Sequence, residues 1–120
     1  MTIHSNSFRD TKRTQSDGTT IIDVELVNPQ PNFIYYITSV SAVDRTTTLT
    51  SIEILAGSFG NEIELDRTAN PTVEERVTYN RPLIIIENGE RLIARFTGST
   101  NNDDLVCNWV GYYRRVHDAH

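Results

Sequence analysis

The fold of this 120-residue chain is decided by LIIIENGERLIARF, residues 83–96, in which two apolar runs flank the pair Asn88-Gly89. An Asn-Gly pair readily takes the positive φ angles of a type I′ turn, which is typical of a β-hairpin. In the second run alternate positions are apolar, as in a strand buried on one face. We therefore predict two antiparallel strands that pair directly, unless they lie in opposite sheets and the turn crosses between them. The residues predicted to face the core are Leu92, Ala94 and Phe96, whereas Arg91 and Arg95 would face water.

Outward from this stretch, most of the chain after Gly18 is rich in β-branched and aromatic residues and is punctuated by Pro, Gly and Asn. This composition favours strands, and no segment shows the apolar spacing of a helix over three turns. The predicted strands cover residues 20–27, 33–43, 49–56, 61–66, 73–79, 83–87, 90–96 and 105–116. Many short strands at short spacing are typical of an antiparallel sandwich or a closed barrel, so we predict an all-β domain.

The chain has the length of one domain, but its first 18 residues differ from the rest. After the initiator Met1, only Ile3 and Phe8 are apolar among them, and they show neither alternation nor helical spacing. We predict three parts: an extended polar N-terminal arm over residues 1–18, a β domain over residues 19–116 and a C-terminal tail over residues 117–120.

Charge and hydropathy argue against two kinds of partner. Eleven basic residues against 16 acidic ones give a net charge of −5, whereas nucleic-acid binding depends on neutralising phosphates with Lys and Arg. No apolar run approaches the roughly 20 residues of a membrane-spanning helix, and the N-terminal residues lack the apolar middle of a signal peptide. We therefore expect neither nucleic acid nor a membrane among its partners.

The residues that could support catalysis or metal binding are scattered along the sequence. His4, His117 and His120 lie near the chain ends, whereas a metal site needs several ligands on a rigid frame. The single cysteine, Cys107, lies in an apolar stretch and is expected to be a buried, unreactive thiol. The sequence contains no nucleophile elbow, phosphate-binding loop or dinucleotide-binding motif. We therefore expect no enzyme, no catalytic residue, no cofactor and no metal.

Two acidic clusters have a plain structural interpretation. Glu62 and Glu64 have the spacing of a glycosidase carboxylate pair on one strand face, but we expect that face to be solvated. Residues 101–104 (NNDD) offer oxygen ligands for calcium but lack the Gly and Glu positions of a calcium loop. Asn and Asp in a turn usually bond to their own backbone, so we predict a plain turn.

Arginine dominates the basic residues, with ten Arg and Lys12 as the only lysine. Arginine forms bidentate pairs with carboxylates and is enriched at protein interfaces, where lysine is depleted. This bias predicts an assembly interface that involves the arm and the strand at 90–96. The predicted interface residues are Phe8, Arg9, Arg13, Arg91 and Arg95.

Five aromatic residues have two possible roles. They could pack in the core, which we favour, or form a platform on which sugar rings stack, as in a carbohydrate-binding module. Adjacent residues of a strand point to opposite faces, so only one tyrosine of each adjacent pair can join a given platform. The residues are Tyr35, Tyr36, Trp109, Tyr112 and Tyr113.

Three stretches carry a family resemblance: residues 35–54 (YYITSVSAVDRTTTLTSIEI), 81–105 (RPLIIIENGERLIARFTGSTNNDDL) and 110–115 (VGYYRR). They resemble small phage virion proteins of the jelly-roll or related β-sandwich type, which include head decoration (cement) proteins. The resemblance implies that residues 19–116 form a jelly-roll-like antiparallel β-sandwich of about eight strands, with no catalytic motif. It also implies self-association, typically as a homotrimer, on the outer capsid surface, where such proteins bridge coat subunits.

Together these observations predict a non-enzymatic structural protein of a phage virion. We expect a capsid decoration protein that oligomerises and binds the major capsid protein or another virion protein. Its location would be the capsid surface of the virion, after a stage in the host cytoplasm during assembly. Such a protein would stabilise the shell by mass action, because it binds the closed lattice and not the free subunits. A tail or baseplate fibre domain and a carbohydrate-binding module are the alternatives.

Overall fold

The computed structural model describes residues 6–80 and 83–116, and these residues form an antiparallel β-sandwich of two sheets. The strands are β1 (Asn6–Gln15), β2 (Ile21–Val27), β3 (Phe33–Asp44), β4 (Ser51–Ser58), β5 (Ile63–Ala69), β6 (Val77–Tyr79), β7 (Ile84–Ile86), β8 (Glu90–Thr97) and β9 (Asp104–Arg115). The first sheet has the order β1-β9-β3-β6, with β7 also paired to β3, and the second has the order β2-β8-β4-β5. This is the connectivity of a jelly roll, and it confirms the predicted fold class.

Strands β6 and β7 together occupy the position of one edge strand. β6 pairs with residues 40–42 of β3, and β7 pairs with residues 35–37 of the same strand. The sequence between them includes Pro82, which has no N–H to donate to a continuous ladder. Counted as one interrupted strand, they bring the sandwich to the eight strands of a jelly roll.

The segment predicted as an N-terminal arm contains a strand of the sandwich. β1 pairs antiparallel with β9 along its whole length, from Asn6 opposite Tyr113 to Gln15 opposite Asp104. Most of its side chains are exposed because β1 lies at the edge of the sheet, where the backbone ladder holds it without a continuous apolar face. Such a strand leaves no alternation in the sequence, which is why the pattern suggested an arm. The predicted tail, residues 117–120, and residues 1–5 lie outside the described residues.

The turn at Asn88-Gly89 crosses from one sheet to the other. β7 belongs to the first sheet and β8 to the second, so the two apolar runs do not pair with each other. The N–H of Glu90 donates to the carbonyl of Glu87 at 3.0 Å, and of the two central residues only Gly89 has a positive φ, 89°. A type I′ turn needs positive φ at both central positions. The predicted type I′ hairpin was therefore wrong, and the crossing alternative is confirmed.

The core lies between the inner faces of the two sheets. Leu92, Ala94 and Phe96 are fully buried, as their alternation predicted. Burial of each large apolar side chain contributes about 1.5–3 kcal/mol, so these inner faces hold the sheets together. Their partners in the core include Val24, Ile37, Val40, Ile52, Ile54, Ile86, Leu105 and Trp109. Within residues 6–80 and 83–116, no helix has the length and apolarity that crossing a membrane requires.

Candidate interaction surfaces

The five predicted interface residues lie on separate surfaces. Phe8, Arg9 and Arg13 belong to the edge strand β1, whereas Arg91 and Arg95 belong to β8, inside the other sheet. Alternation separates them further, because Phe8 packs against the core and Arg9 and Arg13 lie on the opposite face of β1. Arg13 also contacts the carboxylate of Asp104 at 3.4 Å. The structure does not bring the five residues into one patch, and their role at an interface stays a prediction.

Arg95 lies in a row of alternating charges that crosses the second sheet. The strand register places Asp23, Arg95, Glu53 and Arg67 side by side on β2, β8, β4 and β5. Arg95 Nε donates to Asp23 Oδ1 at 2.7 Å, and Nη2 donates to Oδ2 at 3.1 Å. Opposite charges directly across a ladder contribute roughly 0.2–1 kcal/mol per pair. Arg95 therefore stabilises the sheet through a carboxylate of its own chain.

Arg91 contacts three groups of the same chain. Its Nε donates to the Glu62 carboxylate, and its Nη1 lies 3.4 Å from Glu25 Oε2. The guanidinium carbon stands 4.9 Å from the centre of the Phe59 ring. The hydrogen bond from Arg91 lowers the pKa of Glu62, whose side chain is only 6% exposed. The predicted solvated face was therefore wrong for Glu62, because the Arg91 side chain covers its carboxylate.

Four tyrosines gather at one end of the sandwich, on the two faces of the first sheet. Tyr35 and Tyr113 are opposite each other in register and stack with a centroid distance of 5.2 Å on the inner face. Their neighbours Tyr36 and Tyr112 stack at 4.8 Å on the outer face. Adjacent tyrosines thus point to opposite faces, as predicted. Core packing, the favoured role, holds for Trp109, which is 5% exposed, and in part for Tyr35, which is half-buried and packs against the core, whereas Tyr36, Tyr112 and Tyr113 are half-buried outside the core cluster.

The outer face at this end forms what we call the outer tyrosine patch: Tyr36, Ile85, Val110 and Tyr112. Ile85 lies beside Tyr36 in the sheet and is 50% exposed. Arginines border the patch, because Arg114 Nε donates to the Tyr36 hydroxyl at 2.7 Å and Arg9 is the cross-strand neighbour of Val110. A shallow depression of about 540 Å³ runs past Arg9, Val110 and Tyr112. Tyrosine and arginine are enriched at protein interfaces, so this patch is suited to bind a protein surface.

At the opposite end of the sandwich two carboxyl groups are buried side by side. Asp44 and Asp103 are each 1% exposed. Asp44 Oδ1 accepts hydrogen bonds from the N–H groups of Thr46 and Thr47, at 3.0 and 3.3 Å. Asp103 Oδ2 accepts from the Thr47 hydroxyl at 2.6 Å and from the N–H of Thr100 at 2.9 Å. Burial, and then the hydrogen bond to Asp103, raise the pKa of Asp44 to about 6. The pair can thus share one proton. Its hydrogen bonds to Thr47 and Thr100 also join the loop between β3 and β4 to the loop between β8 and β9.

The acidic run at 101–104 forms the predicted turn. The Asp103 carboxylate accepts the N–H of Thr100, three residues earlier, and Asn102 has a positive φ of 73°. Among the residues that the structure describes, no three His, Cys, Asp or Glu side chains are grouped to hold a metal ion. Cys107 is fully buried, and desolvation raises the pKa of its thiol to about 12, as expected for an unreactive cysteine. The three histidines lie outside the described residues.

Two features of these surfaces were missed in the sequence. The run Ile84–Ile86 is apolar throughout, so the sequence did not show that Ile85 alone faces outward. Asp44 follows a long apolar run and has the ordinary signature of a turn residue. Nothing local indicates that it meets Asp103, because that contact depends on how β3 and β9 pair.

Comparison with known proteins supports the fold. No protein-family model matches this sequence, and no curated protein matches it. One similar solved structure is described as "Bacillus endospore appendages form a novel family of disulfide-linked pili", with a TM-score of 0.53 and 7% identity over 98% of this chain and 93% of that chain. A second, "Structure of Eiger TNF from S. frugiperda", aligns over 93% of this chain and 95% of that chain at 8% identity, but its TM-score of 0.28 is too low to show a shared fold. At 7% identity the first likeness concerns the fold alone, an all-β sandwich that also occurs in a pilus protein.

Proposed function

We propose that this chain is a non-enzymatic structural subunit that binds a second copy of itself through the outer tyrosine patch. The observation that carries the proposal is the patch itself, in which the half-exposed Ile85 and the half-buried Tyr36 and Tyr112 lie in a row across the sheet. Water contact with these apolar groups is unfavourable in the single chain, and a partner surface would remove it. Arg9 and Arg114 at the border would add directional contacts to carboxylates.

The second sheet offers a complementary surface on the neighbouring copy. Phe59 is 49% exposed beside the Arg91 guanidinium, and Glu64 is exposed on β5, whereas Ile63, 68% exposed, points to the opposite face of β5 from Glu64. An exposed ring and a carboxylate would complement an apolar patch bordered by arginines. Contact between two different surfaces is heterologous, and it closes into a ring or continues as a filament according to the rotation between subunits. A homotrimeric ring is the assembly that we propose.

Within this structural role we propose capsid decoration as the specific function. The ring would bind the outer surface of a phage capsid, through the major capsid protein or another virion protein, after assembly in the host cytoplasm. Binding to the closed lattice and not to free subunits would stabilise the shell. The jelly-roll fold and the resemblance of residues 35–54 and 81–105 to virion proteins support this version. A tail or baseplate fibre domain is the alternative, and the open form of the same heterologous contact would favour it.

The fold shared with the endospore appendage structure supports a structural role of this general kind. That structure is described as disulfide-linked pili. Cys107 is the only cysteine of this chain and it is buried. An assembly of this chain would therefore be held by noncovalent contacts.

Sedimentation velocity over a concentration series tests the self-association. The 13.6 kDa chain should shift to a discrete larger species as concentration rises, and Tyr112→Ser should prevent the shift. Tyr113→Ser removes the same ring from the inner face and serves as the matched control, which should associate normally. Arg9→Glu should weaken association, and the double variant with Glu64→Arg should restore it. A monomer at every concentration, or normal association of Tyr112→Ser, would refute the proposal.

The location within a particle tests the finer function. Electron microscopy of phage particles with labelled protein should place it on the outer capsid surface. Label on the tail or baseplate would replace the decoration proposal by the fibre alternative. Removal of bound protein should also lower the temperature at which capsids rupture, since binding to the closed shell stabilises it.

A further inference from the structure

An aromatic cleft opens on the inner face of the first sheet, at the same end as the outer tyrosine patch. Its volume is about 360 Å³, and β1, β2, β3 and β9 all contribute to its lining. The cleft and the patch lie on opposite sides of one sheet, because Tyr35 and Tyr113 alternate with Tyr36 and Tyr112. We call it the inner aromatic cleft; the lining residues used below are Phe8, Asp10, Asn28, Tyr35, Trp109 and Tyr113.

The aromatic wall of the cleft is held in place by its own contacts. Phe8 meets Tyr35 edge to face at a centroid distance of 5.6 Å, and Tyr35 stacks on Tyr113 at 5.2 Å. Phe8 also lies 6.1 Å from Tyr113, so the three rings brace one another. Trp109, almost fully buried, adds a fourth ring to the lining. Rings that are already ordered lose little entropy when a ligand binds, which favours affinity.

Two polar side chains of the lining supply hydrogen-bond acceptors. Asp10 Oδ1 accepts the N–H of Thr11 at 2.8 Å, which fixes the carboxylate on β1. Asn28 Nδ2 donates to Glu25 Oε1 at 3.2 Å, which directs the amide oxygen away from that contact. The adjacent backbone is held by Asn88, whose Nδ2 donates to the carbonyl of Pro29 at 3.2 Å. A ligand that fits the cleft therefore has to present hydrogen-bond donors.

The combination of rings and acceptors limits the class of ligand. An anionic ligand would be repelled by the Asp10 carboxylate in a chain whose net charge is −5. A wholly apolar ligand would desolvate that carboxylate without giving it a partner. The volume lies at the lower end of the roughly 300–1,000 Å³ typical of small-molecule sites, so the ligand is small.

We propose that the inner aromatic cleft binds a neutral saccharide through one pyranose unit. The apolar C–H face of the sugar would pack against the aromatic wall of the cleft, and its hydroxyls would donate to Asp10 and Asn28. Both features of a pyranose, an apolar face and a rim of hydroxyls, are matched by side chains of the cleft. The proposal is independent of the structural role above, because none of the four residues of the outer tyrosine patch lines the cleft.

A titration followed by NMR tests this proposal on the full chain. The probes are the methyl pyranosides of glucose, galactose, mannose and N-acetylglucosamine, together with an array of neutral oligosaccharides. At least one probe should shift the Trp109 indole and the backbone N–H of Asp10 and Asn28 in a saturable way. Shifts confined to the outer tyrosine patch, or no response to any of these sugars, would overturn the proposal.

Matched variants assign the binding to the cleft. Tyr113→Ala should weaken binding about tenfold or more, as expected when a stacking ring is lost. Tyr112→Ala removes the neighbouring ring from the opposite face and should bind as the unchanged protein does. Equal losses in both variants would contradict the assignment. If Tyr113→Ala does not fold, Asp10→Ala provides the second test, because it removes an acceptor from an edge strand and should also weaken binding.

The alternative is that the cleft binds protein and not a sugar. If a second copy or a peptide occupied it, the Trp109 and Asp10 signals would shift with protein concentration and would not respond to sugars. That result would overturn the saccharide proposal. It would leave the outer tyrosine patch to be judged by sedimentation of the Tyr112→Ser variant alone.

Discussion

Replacement of Asp44 by asparagine is expected to stabilise this protein at neutral pH. Asp44 Oδ1 accepts two backbone N–H groups, whereas Oδ2 has no hydrogen-bond donor among the described residues. Oδ2 is therefore the oxygen left to carry the proton of neutral Asp44, and this proton would be shared with the carboxylate of Asp103. Above the pKa of Asp44 the proton is lost, and two negative charges then face each other in a buried site.

The size of the effect follows from the pKa of Asp44, which is about 6 in the folded protein and 3.8 ordinarily. A raised pKa means that the folded state binds more protons, so the contribution of Asp44 is complete below about pH 4 and is lost as the pH rises through about 6. The full loss corresponds to about 3 kcal/mol of unfolding free energy. Hydrogen bonds from neighbouring groups lower the pKa of Asp103 despite its burial. The stability that this lowered pKa contributes is present at neutral pH and is lost only as the pH falls below about 4. The Asp44→Asn side chain keeps an N–H donor toward Asp103 at every pH, so it should gain about 2–3 kcal/mol at neutral pH.

Urea unfolding followed by Trp109 fluorescence, from about pH 4 to about pH 8, measures this contribution. The stability of the unchanged protein should fall as the pH rises over this range, and the stability of the Asp44→Asn variant should fall much less. Asp103→Asn is the matched control and should cost about 1–3 kcal/mol near pH 4, because its carboxylate accepts hydrogen bonds from Thr47 and Thr100. The reasoning is refuted if Asp44→Asn lowers stability at neutral pH or leaves the pH dependence unchanged.

Further predictions concern the sheet and the core. Gly111→Ala should cost about 3 kcal/mol or more in urea unfolding, because an added Cβ would clash with the carbonyl oxygen of Tyr36. Phe96→Ala should cost about 3–5 kcal/mol by the same measurement, since the side chain is fully buried. Deletion of β1 should lower the melting temperature by circular dichroism, whereas a free arm could be removed without effect. Cys107 should react with a thiol reagent only after unfolding, and rapid labelling of the native protein would contradict its burial.

The fold class was predictable because alternation along a strand reports directly which face is buried. Leu92, Ala94 and Phe96 illustrate this, and all three are fully buried. β1 was not predictable by the same rule, because an edge strand can be held by its backbone ladder with few apolar side chains. The sequence also left undecided whether the turn at Asn88-Gly89 crosses between the sheets. A turn sequence specifies local φ angles and not the sheet that the next strand joins.

The candidate surfaces were only partly predictable, because they depend on contacts between distant strands. The opposite orientation of Tyr35 and Tyr36 followed from the sequence, but their partners Tyr113 and Tyr112 are set by the register of β3 against β9. Arg91 and Arg95 were identified as interface residues from composition alone. The structure shows that each is hydrogen-bonded to a carboxylate of its own chain. The number of arginines in a sequence does not indicate which of them are paired in this way.

The two proposed binding surfaces depend on one backbone feature of the first sheet. The register between β3 and β9 is irregular between Ile37 and Ser39, and Gly111 lies opposite Ile37, directly beside the Tyr36 carbonyl. A bulge at this point shifts the pairing beyond it by one residue, and it thereby sets which tyrosines of the two strands share a face. A side chain at position 111 would force the strands apart and disturb both stacked tyrosine pairs together. Side-chain substitutions can therefore separate the inner aromatic cleft from the outer tyrosine patch, whereas a change in the backbone at Gly111 affects both.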